Sequence, residues 1–380
     1  MKEKIKAFDI CIITMSKFKN DARSLNLARL LVKNNKKVCI IGNGSKDDIE
    51  YFEKEKIEFF NISLPDESRA IIKWFLFLIK CIKYFGKARA KIILSGDLYA
   101  LPIGIYLKRK YNSRLIYDSR DIYSALGPLY HNPFKQIVIA NIERIFVKKV
   151  NEIIVSGEAD RNYLKEYFKN NIPYHIILNL PPYKPVIRSD IIRKRYNIPD
   201  NYIILVYQGM ILSGRGLILA ISSLPFINDA VLCIIGEGNY KTYIQKYAKS
   251  LNVQDRVIFC GVLNYDELHE WTSSADIGIS LIEKISKSTE LALPNKLFEY
   301  CRAGIPTIAT NLPAMQEYCE KYNIGKCVDT SISPRELANE INKIMDKDNY
   351  NKYRQSCVKA SKQLCYEAQE GLILKIFSST

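Results

Sequence analysis

Histidine is scarce. His131, His175 and His269 stand far apart in the 380 residues, which argues against a histidine-based metal cluster or a Ser-His-Asp triad. The ten cysteines are scattered, with no C-x-x-C and no paired zinc spacing, a pattern of reduced thiols that points to the cytoplasm. No apolar run precedes Phe8, so a signal peptide is not expected. Gly42-Asn-Gly44 lacks the third glycine of a dinucleotide fingerprint, which disfavours an NAD enzyme. Zinc-finger, RNP-like and recognition-helix signatures are missing, so nucleic acid is not an expected partner. What is present, 48% hydrophobic and 25% charged residues, describes a folded chain, and its length calls for two domains.

Charge is unevenly placed. Through residue 180 there are 32 Lys and Arg against 19 Asp and Glu, and beyond it 24 against 21, so the halves carry +13 and +3 of the net +16. A basic first half suits an acidic partner, either anionic lipid or a phosphate-bearing acceptor, although the high Lys, Ile and Asn content also fits an AT-rich genome. Within that half, residues 71–89 mix Trp74, Phe75 and Phe77 with Lys73, Lys80, Lys83 and Lys87. The lysines recur too often for a membrane span, and the segment reads as a helix on the sheet or at an anionic membrane surface.

Short β-rich runs alternate with helical ones. Strands are expected at 9–14, 37–41, 58–62, 91–95, 114–118, 152–155 and 175–178, with helices at 24–33, 71–85, 99–110, 135–149 and 159–168. The run from Asn179 to Pro185, with three prolines, serves as a hinge. Beyond it, strands at 202–208, 230–235, 256–260, 275–280, 307–309 and 326–328 alternate with helices at 217–223, 240–250, 265–273, 294–302, 334–345 and 349–376. The fold class is α/β, two doubly wound parallel-sheet domains facing each other across a cleft. Residues 1–180 form the first, residues 186–360 the second, and 361–380 a helix packing back on the first.

Two stretches carry candidate chemistry. In the first, 285–305, Pro294 suits a first helical position and Gly304 the left-handed residue past the end. Lys296 in the first turn is unfavourable for the helix dipole, which suggests a bound anion, and Glu299 follows one turn later. Cation, free amides and carboxylate together suit a phosphorylated sugar, whereas the plainer alternative is a surface helix with ordinary charges. The second stretch runs from Tyr207 through Gly209, Gly214, Arg215 and Gly216 to Leu217, a strand, a glycine-rich loop and a helix start. There Arg215 can fork onto phosphate oxygens.

Taken in order, Gln208-Gly209, Gly214-Arg215-Gly216, Ile234-Ile-Gly-Glu-Gly238, Arg256 to Gly261, Ala275-Asp-Ile-Gly278 and Leu293-Pro-Asn-Lys-Leu-Phe-Glu-Tyr300 resemble the nucleotide-sugar half of a retaining glycosyltransferase of the GT-B fold, family 4-like, in the bacterial surface-polysaccharide subgroup. Asn20-Asp-Ala-Arg23, Tyr117-Asp-Ser-Arg-Asp121 and Asn179-Leu-Pro-Pro-Tyr183 extend the resemblance into the first half. It implies Arg215 on the donor diphosphate, Glu299 on the ribose hydroxyls and Gly209 where backbone meets phosphate. It also implies Gly261 and Val262 bracketing the base, and Leu293, Asn295 and Lys296 facing the phosphates or the sugar.

Three positions depart from the family pattern. Met210 stands where an arginine often follows the first glycine, and Glu290, counted among the donor-binding residues, lies one position off the first of two paired glutamates, with Leu291 in its place. Arg120 replaces the usual histidine, flanked by Asp118 and Asp121. The resemblance implies a hexosyltransferase using a UDP- or GDP-sugar and a glycan or lipid-linked acceptor, cytoplasmic and peripheral to the membrane. No metal and no cofactor beyond the donor are expected. Arg215 and Lys296 would stabilise the leaving diphosphate, with Asp118 a candidate base. A catalytically inactive binding subunit and a nucleotide-sugar epimerase of the same fold are the alternatives.

Overall fold

The computed structural model describes residues 6–18, 21–65, 70–84, 88–126, 129 and 132–378. Asn20, His131 and Lys87, named above, lie outside the described residues, as does residue 85 at the end of the expected helix 71–85. The chain divides into two compact units, one of residues 1–178 with 369–380 and one of residues 179–368.

The first unit holds seven parallel strands: β1 (Lys6–Lys17), β2 (Val38–Asn43), β3 (Glu58–Asn61), β4 (Ala88–Ser95), β5 (Arg114–Ser119), β6 (Glu152–Val155) and β7 (Tyr174–Ile176), in the order β3-β2-β1-β4-β5-β6-β7. Between them run α1 (Ala22–Lys33), α2 (Lys46–Lys54), α3 (Ala70–Ile82), α4 (Leu101–Tyr111), α5 (Pro133–Val147) and α6 (Glu158–Phe168). Near-continuous apolar runs such as Ile10 to Ile13 and Val38 to Ile41 are fully buried, as a sheet covered on both faces requires. Among the described residues no helix is long and apolar enough to cross a membrane.

The second unit begins with α7 (Ile191–Arg195) and has six parallel strands: β8 (Ile203–Gln208), β9 (Ala230–Ile235), β10 (Val257–Gly261), β11 (Ile277–Ser280), β12 (Thr307–Thr310) and β13 (Gly325–Val328), in the order β10-β9-β8-β11-β12-β13. Its further helices are α8 (Leu217–Ser223), α9 (Lys241–Ser250), α10 (Tyr265–Thr272), α11 (Lys287–Glu290), α12 (Asn295–Arg302), α13 (Pro313–Tyr322), α14 (Pro334–Met345) and α15 (Lys347–Ser361). The two parallel-sheet, Rossmann-like units expected from the alternation are present.

The expected helix at 349–376 is two elements. It breaks after Ser361, and α16 (Glu370–Ile376) belongs to the first unit. The second unit thus runs to Ala368 rather than 360. The side-chain amide of Gln369 explains the return: it accepts from Leu178 N (2.7 Å) and donates to Leu178 O (3.1 Å), extending the backbone pairing beyond β7. Four helices are absent from the sequence reading, α2, α7, α11 and α13; of these, α2 and α13 had legible starts, a Ser45–Asp48 capping box and a proline at position 313.

Candidate active site

In the second unit the strand order reverses between β8 and β11, so a crevice opens beyond the C-terminal ends of those two strands. The two stretches singled out by sequence, 209–216 and 281–296, follow these strands and meet there. Glu283 N donates to Gly214 O (3.0 Å), and a Cβ on Gly216 would stand 1.9 Å from Leu281 O, so only glycine fits. Gly214 and Gly216 also have φ of +78° and +72°, conformations that side chains resist. Arg215, half-buried, is held between these two fixed points.

α12 enters the same crevice. Pro294 is its N-cap, with ψ of 142°, and the first helical residue is Asn295, one later than the proline-first expectation. No side chain caps this helix start. Gly304, with φ of +72°, closes the far end as expected. Lys296 is 92% buried, its relative exposure being 8%, and among the described residues its Nζ has no hydrogen-bond partner. The ammonium lies instead 3.8 Å from the centroid of the Tyr207 ring. Burial first, and the Arg215 charge second, push its pKa down from 10.5 to about 7, while Glu299 pulls it upward.

Glu299 is anchored from behind. Gln208 Nε2 donates to its Oε2, and Thr272 Oγ1 donates to Gln208 Oε1 (2.8 Å), which fixes the amide's orientation. Burial raises the Glu299 pKa, opposed by Arg302, by Gln208 and by Lys296. Tyr300 secures the helix to the sheet: its hydroxyl accepts from Gln208 N (3.2 Å) and donates to Ile279 O (3.2 Å), bridging the two strands where they part. Its ring occupies the space above Gly278, where a Cβ would come within 2.2 Å. Tyr207, Gln208 and Tyr300 stand in the sequence motifs without an expected role, and Thr272 stands in none of them. A polar residue ending an otherwise apolar strand was the available signal for Gln208.

Gly209 (φ +130°) and Gly261 (φ +77°) are linked through Gly236: Gly209 N donates to Ile235 O (2.9 Å) and Gly236 N to Gly261 O (2.8 Å). Gly236 abuts the Gly209 carbonyl so closely that a Cβ would lie 2.0 Å from it. The ends of β8, β9 and β10 thus form one rim, along which the space beside Gly261 is open and Val262 is exposed. Leu293 and Asn295 are half-buried at the start of α12. Met210 is 65% exposed, and its carbonyl accepts from the Tyr207 hydroxyl (2.7 Å).

Glu290, expected among the donor-binding residues, is ion-paired in the structure. It ends α11, where Lys284 and Lys287 each lie 3.3 Å from its carboxylate, and those lysines hold its pKa down against burial.

Asp118 lies in the first unit, at the end of β5. It is 2% exposed, and both of its oxygens are engaged: Arg23 donates through Nε and Nη2 (2.8–3.1 Å) and Arg120 through Nε (2.9 Å). Arg120 also reaches Asp21 and Ser24 Oγ, each at 2.5 Å, and Asp21 caps α1. A carboxylate saturated by two guanidiniums fits a strut better than a base. Nearby, Asp97 accepts from Thr14 Oγ1, Met15 N and Ala100 N, and burial raises its pKa. The chain's one D-x-D, Asp346-Lys347-Asp348, starts α15, where Asp346 accepts from the N–H groups of Asp348 and Asn349.

Comparison with known proteins bears on the fold and on residues 188–364. Residues 188–364 match the family described as Glycosyl transferases group 1. N-acetyl-alpha-D-glucosaminyl L-malate synthase of Bacillus anthracis is 22% identical over 190 residues, 49% of this chain and 48% of that protein. The chain therefore matches about half the length of that curated relative. Sucrose-phosphate synthase of Thermosynechococcus elongatus has a TM-score of 0.81 at 15% identity, covering 97% of this chain and 98% of that one. HepE of Anabaena, solved in complex with UDP, has a TM-score of 0.74 at 15% identity, covering 98% and 100%. The second unit thus carries the group 1 glycosyltransferase pattern, and the chain as a whole has the GT-B fold of these structures.

Proposed function

We propose that the chain transfers a hexose from a UDP- or GDP-sugar to a glycan or lipid-linked acceptor in cell-surface polysaccharide synthesis, with retention of configuration and without a metal. The observation carrying this reading is the buried Lys296 ammonium, which has no hydrogen-bonding partner among the described residues and stands beside Arg215 at the β8–β11 switch point. A buried cation left without an acceptor is costly, and a diphosphate supplies the acceptor. As the sugar–phosphate bond breaks, negative charge grows on the β-phosphate. Lys296, Arg215 and the uncapped N–H groups of α12 are fixed in advance to meet it. Glu299, oriented by Gln208, suits the ribose hydroxyls, and the rim from Gly209 to Gly261 leaves room for the base. HepE binds UDP on the same fold, which favours a nucleotide of this kind.

The test is a thermal-shift titration with UDP, GDP and NAD on wild type and Arg215→Ala, followed by an assay of nucleotide release from the UDP- or GDP-sugar with and without acceptor. A shift with UDP or GDP that the variant loses, together with acceptor-dependent release, supports the reading. A shift without turnover assigns a binding subunit. Release without acceptor assigns a different reaction, and no shift with any nucleotide removes the donor site.

A further inference from the structure

We propose that the outward face of α3, α4 and α5 is a docking surface for an anionic lipid bilayer. The residues differ from those of the donor site, and the inference does not rest on the function proposed above.

α3 is apolar on two sides. Phe77 and Cys81 are fully buried toward the sheet, and Trp74 Nε1 donates to Tyr99 O (3.0 Å), which satisfies the inner face. Yet Ile71, Ile72, Phe75, Ile79 and Ile82 are 49–62% exposed, and their spacing places them on one stripe. Fully burying such side chains is worth about 1.5–3 kcal/mol each, so a soluble surface has no reason to present five in a row. α5 repeats the device. Phe134 (76% exposed), Ile137 (60%), Val138 (40%) and Ile145 (54%) form a second outward stripe. α4 packs against both helices, and its Tyr106 is exposed as well. Strands β3 to β6 run in one direction across the sheet, so right-handed connections put all three helices in one layer.

Charge decides the occupant. α3 and α4 contain no Asp or Glu, and α5 contains one, Glu143, which is buried and bonded to the Tyr117 hydroxyl (2.7 Å). Against these stand Lys73, Lys80 and Lys83 on or just beyond α3, Lys108, Arg109 and Lys110 on α4, and Lys135, Arg144, Lys148 and Lys149 on or just beyond α5. A second copy of this face would bring cations onto cations, whereas anionic head groups match them while the apolar stripes enter the acyl boundary. At 13 residues α3 is too short to span a bilayer but suited to lie on one.

Vesicle flotation of the full chain tests this, using phosphatidylcholine alone and phosphatidylcholine mixed with phosphatidylglycerol. Wild type is expected to float with the mixed vesicles, to remain behind with the neutral ones, and to be released by salt. Lys73→Gln with Lys83→Gln should weaken binding by roughly fivefold per lysine removed. Phe75→Glu with Ile79→Glu on α3, and separately Phe134→Glu with Ile137→Glu on α5, should each abolish flotation while leaving the unfolding midpoint in place. Wild type that fails to float overturns the proposal, as does insensitivity to either apolar pair. Should sedimentation show a dimer that Phe75→Glu dissolves, the face belongs to a second copy of the chain. None of these readouts requires donor binding, so failure here and failure of the glycosyltransferase reading remain distinguishable.

Discussion

The Lys296 ammonium lies 3.8 Å from the centroid of the Tyr207 ring, buried and without a hydrogen-bond acceptor among the described residues, and this pairing sets how the crevice responds to pH. Tyr207 is the last residue but one of β8 and Lys296 lies in the first turn of α12, so the aromatic face holds the cation where the backbone offers only N–H groups. The ring's attraction is weaker than a carboxylate's would be, which leaves the charge available to a ligand.

The pKa of about 7 at Lys296 gives the first prediction. It lies below the ordinary lysine value of 10.5, so between the two the unfolded chain holds a proton that the folded chain lacks. Stability from this group therefore rises with pH across that window, by up to about 1.4 kcal/mol per pH unit, and is flat below it. Binding of UDP should run the opposite way, since a diphosphate needs the charged form. Its affinity is expected to fall about tenfold per unit above pH 7, with one proton taken up on binding. Calorimetry in buffers of different ionisation enthalpy measures the uptake, and Lys296→Met should remove it. Uptake unchanged in that variant would place the titrating group elsewhere.

Arg215 is clamped between Gly214 and Gly216, and its substitution by alanine should change the crevice without disturbing the loop. The expected loss is about 2–3 kcal/mol in nucleotide affinity or in kcat/KM, the scale of a charged hydrogen bond left unmade. Titration of UDP or GDP against wild type and variant gives the number. A loss under a few tenths of a kcal/mol would take Arg215 out of the site.

Gln208 links Glu299 to Thr272, and its removal separates positioning from contact. Glu299→Ala should weaken nucleotide binding with little effect on the fold, while Gln208→Ala should produce a smaller loss, about tenfold, because the carboxylate remains but is free to turn. In the double variant the two effects should fall short of additive, which a mutant cycle reads directly. Full additivity would show that Gln208 acts independently of Glu299.

Strand–helix alternation, the proline hinge and the glycine loops were legible because each follows from local chemistry: apolar runs, missing N–H groups, positive φ. Arg215, Lys296 and Glu299 stood out as charges at a loop or helix start, and the sheet order brings their stretches together. What stayed hidden is long-range. Glu290 looked like a donor contact, and its ion pairs with Lys284 and Lys287 emerge only once α11 folds as a turn. The return of α16 to the first unit is tied by Gln369 bonding Leu178, 191 residues away, which no local pattern encodes.

Asp118 is hidden in the same way, since the partners that occupy it come from α1 and from its own strand's end. Breaking a buried pair on one side leaves uncompensated charge, so Asp118→Asn should lower stability by about 3–5 kcal/mol. Denaturant unfolding measures this. Any loss of turnover should be accounted for by unfolded protein, with kcat per folded molecule near wild type. An undiminished midpoint with kcat collapsed would restore the base assignment.

Met210 offers a gain rather than a loss. It follows Gly209 on the rim, is 65% exposed and contributes its carbonyl to Tyr207, so a longer charged side chain can replace it without entering the core or breaking that bond. A guanidinium there would add a third cation to Lys296 and Arg215, and two effects then compete. Attraction to a diphosphate strengthens, while repulsion from the new charge lowers the Lys296 pKa further. The exposed position makes the second effect small, because water screens it. Met210→Arg should therefore tighten UDP binding by roughly fivefold at low salt, with the gain shrinking as salt is added. Titrations at two ionic strengths check both parts, and equal or weaker binding at low salt would show that the phosphates lie out of reach of position 210.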